Sequence, residues 1–187
     1  SESLFGLLAL IAFFWAVRSL DATLEVLTPA AHTLSRWAYY TGTAAFTALA
    51  TITMWRNAGR SRARTEFGVA VLAAMGPVLY MLSGDSFDLT VGPLWQGMML
   101  GVLALGVLSL ARRALGESSR TLQFVVIALF IALGAAVHDF LVSIGVLPFG
   151  GPALLNVATP VLTIALGATL IERFVRSLTE VEKTNTE

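Results

Sequence analysis

The sequence predicts an all-α membrane protein with six transmembrane helices and both termini in the cytoplasm. Three observations carry this. The 187 residues are 56% hydrophobic and 13% charged, with a mean hydropathy of +0.78, well above the apolar share of a soluble domain. The apolar residues gather into long runs, and about 20 such residues are needed to cross the hydrocarbon core. The few Lys and Arg residues cluster between those runs in a way that fixes an orientation.

The first run, residues 3–20 (SLFGLLALIAFFWAVRSL), ends at Arg18 and Asp21. Its apolar part has the length of a signal-peptide core. It lacks the basic leader and small-residue cleavage site of one, so it reads as a helix of the fold. Residues 21–36 are amphipathic and contain Pro29, which predicts a short interfacial element. Residues 37–55 cross between Trp37 and Trp55, placed where interface anchors belong. Residues 67–83 contain Gly76-Pro77, the signature of a kink. The loop GDSFDLTVGP follows, where Asp85 and Asp88 read as solvated. Residues 94–111 open on Trp95-Gln96. Residues 121–147 (TLQFVVIALFIALGAAVHDFLVSIGVL) are apolar throughout yet hold His138 and Asp139 well inside. Residues 153–178 carry Asn156, Thr159 and Pro160 and emerge as a charged tail.

Six crossings put the loop after Trp55, the loop after Ala111 and the C-terminal tail on one side. That side holds Arg56, Arg60, Arg62, Arg64, Arg112, Arg113, Arg120, Arg173, Arg176 and Lys183, against Arg18 and Arg36 on the other. The positive-inside rule makes the first side cytoplasmic. Residues 1–178 then form a transmembrane bundle, and 179–187 begin a cytoplasmic signalling helix. In that tail Phe174, Leu178 and Val181 fall at coiled-coil spacing.

Orientation sorts the polar residues by depth. His138 and Asp139, Arg18, Arg36, Trp37, Tyr39, Tyr40, Tyr80, Trp95, Gln96 and Asn156 fall on the outer half, and the inner half is apolar. This predicts a cavity opening outward, lined by His138, Asp139, Arg18, Arg36, Trp37, Tyr80, Trp95 and Asn156. A lone Asp in hydrocarbon costs about 2.5–3.5 kcal/mol on insertion scales, so a partner must face it. Two readings of His138-Asp139 stand side by side. One is an interhelical clamp from Asp139 to Arg18 or Arg36. The other is a switch biased by a ligand or a proton. Trp and Tyr at helix ends also have a plainer role as interface anchors.

Several chemistries are excluded. Zero Cys removes disulfides, thiolate metal sites and a Cys nucleophile. No Lys lies in a span and only two His residues exist, which rules out a retinal Schiff base and a His-rich di-metal oxygenase. No catalytic residue, metal or cofactor is expected, and zero net charge offers nothing to nucleic acid.

In order along the chain, FFWAVRSL, the P-x7-W spacing of Pro29 to Trp37, GAAVHDFLVSIGVL and IERFVRSLTEVEKTN form a set. The set resembles the membrane region of bacterial seven-transmembrane receptors with diverse intracellular signalling modules. Such regions are found on sensor histidine kinases and diguanylate cyclases. The resemblance covers nearly the whole chain. It implies one further helix before Ser1, so that this chain is helices two to seven of a seven-helix bundle. It also implies an output module beyond Glu187, where any enzyme activity would reside. The expected role is a sensor in the bacterial inner membrane, taking a small-molecule or lipid-like ligand and pairing as a homodimer through the cytoplasmic helix. The competing class is a small transporter or channel with a His-Asp proton relay.

Overall fold

A computed structural model describes residues 2–20, 29–60, 62–116, 119–148, 154 and 158. These form six helices: α1 (Glu2–Leu20), α2 (Pro29–Asn57), α3 (Ala63–Ser83), α4 (Asp85–Leu89), α5 (Val91–Gly116) and α6 (Arg120–Ser143). Among the described residues there is no strand. Three helices, α3, α5 and α6, are long and apolar enough to cross a membrane. The chain is therefore an all-helical membrane protein. The last expected span, residues 153–178, and the signalling helix after it lie outside the described residues, apart from helical Leu154 and Ala158.

Two expectations change. Residues 29–36 are not a separate interfacial element, because α2 begins at Pro29. Proline suits a first helical turn, where its missing N–H needs no partner. The loop after α3 is not open coil either, since it folds into the five-residue α4. Gly84, at φ +57°, makes the left-handed turn between them and donates its N–H to Tyr80 O at 2.8 Å. A residue with a Cβ is strained in that conformation.

The helix at the centre of the described bundle is α2, which packs against α1, α3 and α5. It is also too polar to count among the three apolar helices. The two facts agree: a helix walled by neighbours needs no greasy surface, and small or hydroxyl residues let backbones approach. Its buried positions are Ser35, Tyr40, Gly42, Ala44, Thr47, Ala48, Thr51 and Met54. At Gly42 a Cβ would stand 2.8 Å from Phe14 O and 2.9 Å from Arg18 N, so glycine sets how near α1 lies. At Gly106 of α5 a Cβ would stand 2.9 Å from the Met54 side-chain methyl and 3.3 Å from Thr51 Cγ2 of α2.

These contacts fix the directions. Gly42 meets the end of α1, so α1 and α2 are antiparallel. Tyr40 stacks with Tyr80 at one end of α2 and Arg56 bonds Glu66 at the other, so α2 and α3 are antiparallel too. Gly97 meets Phe140, bringing the start of α5 to the end of α6. The turns after α2 and α5, with Arg56, Arg60, Arg62, Arg112, Arg113 and Arg120, thereby share one end of the bundle. The opposite end carries Arg18, Arg36, α4 and Asp139.

Candidate functional site

Two structures occupy the end opposite the arginine turns, and α2 belongs to both. The first is a solid aromatic cluster. Tyr40, Tyr80, Phe87 and Trp95 come from α2, α3, α4 and α5, and each is 1% exposed. Tyr40 is the hub, with ring centroids 5.2 Å from Tyr80, 5.1 Å from Phe87 and 5.8 Å from Trp95. Each such pair adds about 0.5–1.5 kcal/mol beyond its buried area. Trp95 donates its indole N–H to Leu72 O at 2.8 Å and lies where any Cβ on Gly76 would be, 2.3 Å from that position. Gly76 thus serves as the seat of a tryptophan.

Charge crowns this cluster. Arg36 donates to Asp88 Oδ2 from Nε at 3.1 Å and from Nη2 at 2.5 Å, and Tyr40 donates its hydroxyl to Asp88 Oδ1. Asp88 is therefore not a solvated loop residue. It ties α4 to α2 with both carboxylate oxygens engaged, in a pair only 27% and 21% exposed.

The second structure is a cavity of about 240 Å³ between α1, α2, α5 and α6. Its polar residues are Arg18, Arg36, Tyr39, Thr43, Gln96, Asp139 and Ser143 toward one end, with Thr47 one turn deeper on α2. Below them the walls are Phe46, Ala50, Met99, Leu100, Leu103, Val107, Leu129, Ala132 and Leu133. From Asp139 down to Leu129 the α6 wall runs about 15 Å at the helical rise of 1.5 Å per residue. The space is thus an elongated slot, wet at one end and apolar at the other.

Chemistry at the wet end is uneven. The Arg18 and Arg36 guanidinium carbons lie 5.6 and 5.5 Å from the Tyr39 ring centroid. Arg36 is neutralised by Asp88. Among the described residues Arg18 has the Tyr39 ring but no hydrogen-bond or ion-pair partner. Asp139 accepts the Leu154 N–H on Oδ1 at 2.9 Å, with His138 Nδ1 3.2 Å from the same oxygen. The Thr43 hydroxyl is buried without a hydrogen-bond partner among the described residues, a state that costs about 1–3 kcal/mol. No cluster of metal-ligating side chains occurs among the described residues.

The chain matches no family model, no curated protein and no solved structure.

Of the residues singled out from sequence, the structure gathers Arg18, Arg36 and Asp139 at the cavity. His138 stands beside it, with its side chain 43% exposed and bonded to Asp139. Tyr80 and Trp95 are not among the residues lining this cavity; they are packed into the aromatic cluster. Trp37 is half-buried against that same cluster. Asn156 lies outside the described residues. Arg36 binds Asp88, and Asp139 accepts the Leu154 backbone amide. Sequence reading gave Thr43 and Ser143 no place at a site and read Asp88 as solvated. A hydroxyl on a helix usually bonds its own backbone, and only the packing of the helices shows Thr43 at the cavity wall.

Proposed function

We propose that the chain is the transmembrane sensor module of a bacterial signal-transduction receptor. On this reading it takes a small ligand in the outward-facing cavity, and ligand binding biases the last helix and an output module beyond it. The observation that supports the reading is the slot's polarity. Arginine, carboxylate and amide groups stand at its outer end, and an apolar wall seals the end toward the arginine turns. The six-span topology, with both termini cytoplasmic and the chain as helices two to seven of a seven-helix bundle, belongs to this proposal. So do the homodimer through the cytoplasmic helix and the family resemblance.

Asp139 is the residue through which occupancy is felt. It joins α6 to the segment after it through the Leu154 amide, so a ligand that draws on the carboxylate also loosens the start of the last span. Converting a mostly-off into a mostly-on receptor takes about 5.5 kcal/mol of differential affinity. A few contacts at a partly buried charge supply much of that.

The test is Asp139→Asn in the receptor that contains this chain, with output measured beside membrane insertion. Altered signalling at normal insertion is the expected result. Unchanged signalling overturns the assignment. Proton flux through proteoliposomes under a pH gradient would instead favour the transporter reading, which requires a polar path through the apolar half.

A further inference from the structure

We infer that the cavity binds a single-chain amphiphile with a monoanionic head, a free fatty carboxylate, with the head at Arg18 and Thr43 and the chain along α5 and α6. The inference rests on reading the cavity as a ligand site, and it names what enters.

Arg18 supplies the charge. Its guanidinium lines the cavity, lies over Tyr39 and has no carboxylate of its own among the described residues. A guanidinium presents paired N–H donors that match one carboxylate. Thr43 supplies a second donor. Gly42 brings Arg18 N to within 2.9 Å of where its Cβ would be, and Arg18 and Thr43 both line the cavity. The Thr43 hydroxyl is buried and without a partner, unlike that of Thr53, which bonds Leu49 O at 2.6 Å. A carboxylate bound at Arg18 gives the Thr43 hydroxyl an acceptor once that side chain rotates toward the cavity.

Shape and charge narrow the class. About 240 Å³ falls just below the range of about 300–1,000 Å³ typical of ligand sites and leaves no room for the paired chains of a phospholipid. Asp139 shares the lining, and its charge disfavours a doubly negative head such as a phosphate monoester. The deep walls, Leu100, Leu103, Val107, Leu129 and Leu133, accept hydrocarbon, with Thr47 a polar residue beside them.

The experiment places the chain in phosphatidylcholine nanodiscs and titrates cis-parinarate, a fluorescent fatty acid, read by energy transfer from tryptophan. Saturable binding is expected, displaced by dodecanoate but not by dodecanol or dodecyltrimethylammonium at equal concentration. Arg18→Gln should weaken binding about tenfold, the loss of one charge-assisted contact, and Arg18→Lys should restore part of it. Leu133→Trp, which fills the deep end, should abolish binding. Equal displacement by all three amphiphiles overturns the anionic class while leaving a ligand cavity intact. Displacement of the probe by phosphatidylglycerol in the disc overturns the free acid in favour of bilayer lipid. No saturable binding, or none lost in Leu133→Trp, overturns the cavity reading itself.

Discussion

At the scale of single residues, most of the polar end is explained by which group reaches which carboxylate. Asp88 holds Arg36 and Tyr40 at once, so removing its charge weakens the ties of both to α4. Asp88→Asn should cost about 1–3 kcal/mol, the range for hydrogen bonds to charged groups, read as a lower melting temperature in detergent. Paired with Arg36→Gln the losses should fall well short of their sum, as expected for residues sharing one network. Additive losses would show that the pair is decorative. This network was not legible in the sequence. Its partners are 48 and 52 residues apart, and an aspartate in a short loop carries no local sign of an arginine two helices back. His138-Asp139 was legible as an anomaly, because charge inside an apolar run is costly wherever the run goes. Its partner was not, since the Leu154 amide has no side-chain signature.

At the scale of helices, hydropathy located the elements and missed their ends. The runs read at 67–83, 94–111 and 121–147 correspond to α3, α5 and α6. The helices α3 and α5 extend past their runs into polar loops, where hydrophobicity stops but backbone hydrogen bonding does not, whereas α6 ends at Ser143, four residues before its run does. The α2 helix was read two turns short because Pro29 looks like a break, whereas at a helix start it is tolerated. Small residues decide how these helices meet. Gly76→Leu should displace Trp95 and destabilise the bundle by about 1–3 kcal/mol, the usual cost of overpacking. Gly101→Ala, where nothing lies within 4 Å of the added atom, should be neutral or gain about 0.5–1 kcal/mol from helix propensity. Thermal melting of the two variants side by side checks both. Equal effects would mean that the tryptophan seat does not hold α3 against α5. Sequence reading also took Tyr80 and Trp95 for cavity or interface residues. Periodicity cannot show that four rings from four helices converge on one point.

At the scale of the whole molecule, the alternation of helices brings the arginine turns to one end and the cavity's polar groups to the other. This separation of charge from the apolar cavity wall is what supports the proposed receptor function. Because the chain contains no cysteine, single substitutions report cleanly on this arrangement. The most direct measurement is labelling of Thr43→Cys in intact cells with a membrane-impermeant methanethiosulfonate, with Arg62→Cys as the marker of the arginine end. Thr43→Cys should react from the outer side, and more slowly once dodecanoate is added, while Arg62→Cys reacts only after permeabilisation. Reaction of Thr43→Cys from the cytoplasmic side alone, or from neither side, would contradict an outward-facing cavity.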